Sequence, residues 1–335
     1  MSHDRQKTKV GLDIGSYAVK IVEVSGADGK MSLAAAGLKN VQDASREGVI
    51  GCIKALAAQA GITAKEANIS VSGPSVIVRF IVMPKMTDED LNNAIKFEAE
   101  KHITFNINEC VIGHHAIRRD RKDNKQDVML VAAKKDLVID KVKIAEAAGF
   151  SVGVVDVDGF AVTNSFMANF PDSSPEKTIA LLDVGAQLTN LSLICGGSAL
   201  LVRDIGVGVR DFDASISKRF GIDARAAEEL RMAPGDKEQE MISCLKAVCN
   251  NLCDDVKLSF GYHENQCGKG IDEVYVSGGG ASFKSFEGVL QETLGLKPVL
   301  WDPLRFLDTS SVRAALKEIE GVKGSFAVAS GLALR

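Results

Sequence analysis

The chain has 335 residues, 46% of them hydrophobic and 25% charged, with 40 Lys+Arg against 44 Asp+Glu and a formal net charge of -4. That describes a folded globular chain of about two domains, and charge so nearly balanced offers no general attraction to nucleic acid or anionic lipid. With 31 Gly and 7 Pro the chain is neither collagenous nor mostly disordered, no apolar run approaches the roughly 18 residues of a membrane span, and the polar start lacks an export signal's hydrophobic region. Seven cysteines, an odd number without such a signal, fit reduced thiols in a cytoplasm. Cys244, Cys249 and Cys253 have helical spacing rather than that of a zinc knuckle.

Residues 10–14 and 18–24 are apolar, β-branched-rich runs split by Gly15-Ser16, which predicts a hairpin, and residues 31–41 predict a third strand. Apolar steps of three and four at Val49, Ile50, Ile53, Leu56, Ala57 and Ala60 predict a helix over 46–60, stopped by Gly61. A strand over 68–72 and the break Gly73-Pro74 follow. A different unit then begins with a strand over 76–82. A helix starts at Thr87, with Asp88, Glu89 and Asp90 meeting the positive end of its dipole, an apolar face of Leu91, Ile95 and Ala99, and an end near Ile103. Strands over 111–117 and 128–133 flank a charged, solvated tip at 118–127, and a helix over 137–148 leads to a strand over 151–157. The order over 76–157 predicts a small α+β insertion with two helices on one sheet. A short helix over 160–170 and the linker 171–175 precede a second hairpin, 179–184 with 188–194, and a strand over 199–205. Helices over 211–220, 224–231 and 237–262 come next, then a strand over 273–276 that runs into Gly278-Gly279-Gly280, and helices over 283–294 and 325–334. His114 and His115 point to opposite faces of one strand and cannot chelate one ion, and Trp301 reads as packing.

The stretch Val10-Gly11-Leu12-Asp13-Ile14-Gly15-Ser16 is echoed by Ala180-Leu181-Leu182-Asp183-Val184-Gly185-Ala186, with the two aspartates 170 residues apart. Each Asp ends one apolar strand and precedes a glycine turn into the next, which suggests one hairpin per lobe. Glycine lets backbone N–H groups approach an anion closely, while an Asp beside that anion makes sense only with a bridging cation such as Mg²⁺. Two such turns would clasp a polyphosphate from both sides. The run Val276-Ser277-Gly278-Gly279-Gly280, a strand feeding a Gly triplet and then a helix start near Ser282, is a recurring nucleotide-contact geometry. The P-loop pattern and the hydrolase elbow are absent from the sequence.

These three segments resemble the two phosphate motifs and the adenosine motif of the actin-like ATPase superfamily. Within it the chain resembles, end to end, the PilM family of type IV pilus assembly. The matching stretches include Lys96-Phe97-Glu98-Ala99-Glu100-Lys101-His102-Ile103, Val155-Asp156-Val157-Asp158-Gly159 and Asp204-Ile205-Gly206-Val207-Gly208. Thr104 stands where such sequences often carry Pro. The resemblance implies an α/β, two-lobed actin-like (ribonuclease H-like) fold with a small inserted α+β domain. Its parts would be subdomain 1A at 1–74, 154–178 and 318–335, the insertion 1C at 75–153, subdomain 2A at 179–221 and 271–317, and a cap 2B at 222–270.

It also implies ATP with Mg²⁺ in the cleft. Asp13 and Asp183 would orient the metal, with Gly15, Ser16, Tyr17, Gly185 and Ala186 around the phosphates and Gly278, Gly279 and Gly280 at the adenosine end. Lys20 either neutralises phosphate charge or is a solvated strand lysine, and Thr189 either reaches the phosphates or pairs within its hairpin. Glu228 and Arg231 would hold ribose and adenine. Asp156 or Asp158 falls where related folds place the water-positioning residue, and we take Asp156 as the candidate. Asp is short for that task, so slow turnover at best is expected, with nucleotide acting as a switch. The cleft between 1A and 1C would receive, partly extended, the cytoplasmic N-terminal peptide of a PilN-like inner-membrane protein, with pilus motor ATPases as a further contact. No amphipathic segment follows the last helix, so the expectation is a cytoplasmic chain drawn to the inner face of the inner membrane through a protein partner. A small-molecule kinase or an FtsA-like division protein on the same fold are the alternatives.

Overall fold

The computed structural model describes residues 7–27, 30–118, 123–283, 285–310 and 312–335. Strands β1 (Lys7–Ile14), β2 (Ala18–Ala27) and β3 (Lys30–Asn40) form an antiparallel meander. Alternation puts Val10, Leu12, Ile14, Val19 and Ile21 into one core, under helix α1 (Arg46–Ala60). Ser45 caps α1 by accepting from the Gly48 N–H, and Gly61 ends it in the left-handed region. Strand β4 (Glu66–Val71) then joins β1 in parallel.

The sequence did not foretell Glu23, which is 1% exposed on β2. Its carboxylate accepts from the Thr63 N–H, the Thr63 hydroxyl and the Ala64 N–H at 3.1, 2.8 and 3.1 Å, tying down the connection from α1 to β4. Glu23→Ala strands those donors in a dry site. We expect a loss of about 3 kcal/mol in urea unfolding, and a loss under about 1 kcal/mol would show that water reaches them.

The second sheet comes from the middle of the chain. Strand β5 (Val76–Pro84) and helix α2 (Asp88–Ala99) precede the hairpin of β6 (Cys110–Arg118) and β7 (Lys125–Lys134), and helix α3 (Lys135–Ala147) follows. Thr87 caps α2, which ends at Ala99 rather than Ile103 and lays Leu91, Ile95 and Ala99 against Ile81, Val128 and Leu130. The sheet has three strands in the order β5-β7-β6. Residues 119–122 of the charged tip lie outside the described residues.

Here the structure departs from the expected insertion in two ways. Strand β8 (Ser151–Val157) pairs in parallel with β4, closing the first sheet as β3-β2-β1-β4-β8. Helix α3 packs its Ile144 and Ala145 into the first core beside Ile53 and Leu56, and does not join α2 on the inserted sheet. The path from β4 through the insertion and α3 to β8 is the crossover that parallel neighbours require.

Helix α4 (Asp158–Asn169) leads into the second lobe. Strands β9 (Thr178–Val184), β10 (Thr189–Cys195) and β11 (Ser198–Ile205) repeat the opening meander. Helices α5 (Val209–Phe220), α6 (Ala224–Met232) and α7 (Glu238–Cys267) follow. Cys244, Cys249 and Cys253 are buried along α7, and burial lifts the Cys249 and Cys253 thiols to about 12 and about 11. Strand β12 (Glu273–Ser277), helix α8 (Phe286–Leu294) and strand β13 (Pro298–Leu300) complete the sheet β11-β10-β9-β12-β13. Helices α9 (Arg313–Ile319) and α10 (Ala327–Leu332) end the fold. The core beneath α10 joins residues of both lobes, among them Ala161, Phe166, Leu181, Ile194 and Trp301. Trp301 stands edge-on to Phe166 at 5.5 Å between ring centres.

Candidate functional site

The two Asp-Gly turns open onto one polar centre. Asp13, 8% exposed at the end of β1, receives the Lys20 ammonium at 2.9 Å from the partner strand. Asp183, at the end of β9, accepts the Ser277 hydroxyl from neighbouring β12 at 2.7 Å. Burial lifts the Asp183 carboxyl to about 7 against the Ser277 hydroxyl and the Lys20 charge, with Asp13 and Asp158 adding like charge. Burial also lifts Asp158 to about 6, with Asp13 adding to it, although Ser70 and Ser72 donate to the carboxylate. For Lys20, burial is outweighed by Asp13, with Asp183 and Asp158 behind it, so its pKa lies above the ordinary lysine value. Lys20 is therefore ion-paired with Asp13 and is no solvated strand lysine. Asp13, Asp183 and Asp158 thus share one centre with the Lys20 ammonium, and Asp13 raises the pKa of the other two carboxyls.

Lys141, which the sequence reading missed, reaches the same centre. Its ammonium donates to the Ile14 carbonyl at 2.5 Å, between Asp13 and Gly15 in the chain. Burial depresses its pKa, opposed by Asp158 and Asp13.

Tyr17 follows Gly15 and Ser16 in the first turn. It donates to Glu228 on α6 and accepts from Asn40 at 3.0 Å, and burial together with Glu228 pushes its phenol to about 12. Arg210 donates to the Ser16 carbonyl at 3.2 Å. These contacts latch the first turn to the second lobe. Other expected residues are already engaged. The Gly185 N–H bonds the Leu188 carbonyl at 2.9 Å, while Gly185 and Ala186 carbonyls accept from Val209 and Arg210 at the start of α5. The Thr189 hydroxyl donates to the Val207 carbonyl at 2.8 Å, past the end of β11 and outside its own hairpin. Arg231 is 6% exposed, paired with Asp213 at 2.5 Å, and lies over the Phe283 ring at 4.1 Å.

In the turn after β12, Gly278 has φ +88°, and a Cβ there would stand 2.4 Å from the Val184 carbonyl oxygen, so the turn needs glycine. A single 3₁₀ turn over Gly279–Ser282 follows, and α8 begins only at Phe286. The expected helix start at Ser282 is displaced because Phe283 takes an extended conformation that sends its ring against Phe212 and Phe286. A hollow of about 300 Å³ borders this turn, lined in part by Gly278, Ser282, Trp301 and Lys323.

Asp156 lies apart from this centre. It is 8% exposed, pairs with Arg335 at 2.5 Å and lines a different cavity. Asp158, at the start of α4, is the carboxylate that faces Asp13 and Asp183. The geometry thus favours the other of the two aspartates weighed from the sequence.

The cavity beside Asp156, about 280 Å³, runs between β8, an edge of the first sheet, and β6, an edge of the inserted sheet. Its walls are Val155 and Val157 from β8, Val111–His114 from β6, Val131 from β7, Val138 from α3 and Phe160 from α4.

Comparison with known proteins gives this arrangement its setting. The family profile described as type IV pilus assembly protein PilM matches residues 11–335. The chain belongs to the PilM family. Among solved structures, a PilM-PilN type IV pilus biogenesis complex superposes with a TM-score of 0.85 at 28% identity, covering 98% of each chain. The ethanolamine utilization protein EutJ from Carboxydothermus hydrogenoformans matches with a TM-score of 0.58 at 14% identity, over 98% of this chain and 89% of that one. MreB5 of Spiroplasma citri bound to ADP matches with 0.51 at 12% identity, over 97% and 94%. The last two likenesses are of fold, and they place this PilM-family chain on the actin-like ATPase fold.

The site's chemistry fits the nucleotide that this fold implies. Among the described residues no three His, Cys, Asp or Glu side chains are placed to hold a metal by themselves. Magnesium is commonly held by one or two carboxylates with phosphate oxygens and water, and Asp13 and Asp183 supply that number. No helix among the described residues of this PilM-family chain is long and apolar enough to cross a membrane.

Proposed function

We propose that this chain is a nucleotide-binding adaptor of type IV pilus assembly, holding the cytoplasmic N-terminal peptide of a PilN-like membrane protein and recruited by it to the inner face of the inner membrane. The observation that carries the reading is the apolar groove between two sheet edges, in a chain 28% identical over 98% of its length to one seen in a PilM-PilN complex. Edge strands offer unpaired backbone groups to an extended peptide, and alternate side chains of β8 and β6 supply apolar walls.

In the cleft, Asp13 and Asp183 are the residues that would hold Mg²⁺, and Lys20 would meet phosphate charge beside the turn Gly15-Ser16-Tyr17. Gly278, Gly279 and Gly280 would border the nucleoside. Bound ATP would supply a phosphoanhydride, and residues of both lobes would meet its charge. Glu228 reaches a ribose only if Tyr17 releases it, so nucleotide entry is coupled to the latch between the lobes. Asp158 is the carboxylate for orienting a water. The cleft serves as a switch, with the latch as the part that moves.

Side chains of β8 alternate, so Val155 faces the groove while neighbouring Val154 is 41% exposed and off its wall. A synthetic peptide of the cognate PilN cytoplasmic N-terminus should bind the wild type in fluorescence anisotropy. Val155→Glu should weaken it at least about tenfold, roughly 1.4 kcal/mol, and Val154→Glu less than about twofold. Equal effects of the two variants would move the peptide elsewhere.

A further inference from the structure

We infer that Lys141, supplied by the helix that follows the inserted sheet, is a phosphate-binding residue of the nucleotide cleft, and that through it the cleft is mechanically joined to the groove. The inference rests on the nucleotide reading above and assigns it a residue and a route.

The geometry is local. Lys141 donates to the Ile14 carbonyl at 2.5 Å, inside the first Asp-Gly turn, and faces Asp158 and Asp13. An ammonium has three donors, and one bond to a carbonyl leaves capacity for an anion held by the same turn. With Lys20 already paired to Asp13 at 2.9 Å, Lys141 is a second cation beside a polyanion that must also meet Asp158 and Asp183. Phosphate bound there would gain the attraction of two ammonium groups, with a bridging cation between it and the carboxylates.

Val138 lies one turn before Lys141 on α3, so the two side chains share a face about 4.5 Å apart along the axis. Val138 forms part of the groove wall. Ile144 and Ala145, on the next turn, pack into the first core. A helix of 13 residues moves as one piece on this scale, so drawing Lys141 toward phosphate shifts Val138 against β6 and β8. Such coupling is reciprocal by linkage: whatever occupies the groove alters nucleotide affinity by the same factor.

The test uses the full chain and a fluorescent ATP analogue with magnesium, read by titration, together with hydrogen exchange at saturation. Wild type should bind, with slowed amide exchange over Lys135–Ala147 and along the groove edge of β6. Lys141→Met should bind at least about tenfold more weakly and, once saturated, show no added protection on α3. Lys141→Arg, which keeps a charged donor, should stay within a few-fold of wild type in both readouts. Ile139→Ser, at a position 47% exposed on the same helix, should change neither. Thermal unfolding of each variant separates loss of contact from loss of fold: a Lys141→Met chain that melts like wild type yet loses affinity supports the role. A Lys141→Met chain that binds within twofold of wild type, or keeps the α3 protection, overturns the inference and leaves the nucleotide site standing. Wild type that binds no nucleotide overturns both.

Discussion

Asp183→Asn should make the nucleotide-free protein more resistant to urea at pH 8 while removing its response to magnesium and ATP. The Asp183 carboxyl is lifted from 3.8 to about 7, chiefly by burial, so the folded chain keeps a proton that the unfolded chain has lost. Stability from this group is therefore full at low pH, falls as pH rises from about 4 to about 7, and stays lost above that. At 1.36 kcal/mol per pKa unit the ceiling is about 4 kcal/mol, and solvent in the cleft reduces it to an expected 1–3 kcal/mol. Asparagine keeps the shape and can still accept the Ser277 hydroxyl, so the variant escapes the penalty. Urea unfolding in magnesium-free buffer should show wild type losing more stability between pH 5 and pH 8 than the variant loses. Asp158, lifted to about 6, gives both chains a residual slope of the same sign.

With nucleotide the order reverses. Magnesium and ATP should raise the wild-type midpoint with the logarithm of ligand concentration over Kd and leave the variant's nearly unmoved, with affinity reduced about 100-fold or roughly 2.7 kcal/mol. Identical pH slopes in the two chains would mean that Asp183 is better solvated than its partners imply. An unchanged nucleotide response would remove it from the metal's surroundings.

The parts of the site readable from the sequence are those built within a few residues. Each Asp-Gly turn carries its own strand, break and return strand, so β1-β2 and β9-β10 emerge from local pattern, and Asp13 and Asp183 with them. Lys141 was illegible because its partner Ile14 is 127 residues away, across the insertion. Asp156 and Asp158 part for a local reason: β8 ends at Val157 and α4 begins at Asp158, so the backbone changes conformation between them, and Asp156 pairs with Arg335 while Asp158 faces Asp13. The apolar run of β8 says that it is a strand but not which sheet takes it, and the pairing with β4 is a long-range choice. Glu23 belongs to the same class, since an acidic residue in a strand reads as exposed until the loop that it binds has folded over it. Gly278 was legible as a turn, while the late start of α8 depended on where the core needed Phe283.

The contact between α4 and α10 has a sharper consequence. A Cβ on Gly331 would stand 1.7 Å from the Ala161 carbonyl oxygen and 2.4 Å from its carbon, both backbone atoms, so no rotamer change relieves it. The Ser165 and Ser330 hydroxyls bond at 2.6 Å across the same interface, and both residues are fully buried. Gly331→Ala must push the helices apart along a surface that also holds Phe166, Val328 and Leu332. The expected loss is about 3 kcal/mol or more in urea unfolding, at the top of the range for overpacking because backbone meets backbone. Gly51→Ala is the matched control. It is an exposed interior position of α1 where a Cβ meets nothing within 4 Å, and it should gain about 0.5–1 kcal/mol from reduced unfolded-chain entropy. Because α10 packs on residues of both lobes, a Gly331→Ala chain that still folds should also bind nucleotide more weakly, its two Asp turns no longer held at one spacing. Unchanged stability would mean that the helices can separate without cost, and the lobes would then have a freedom that this packing denies them.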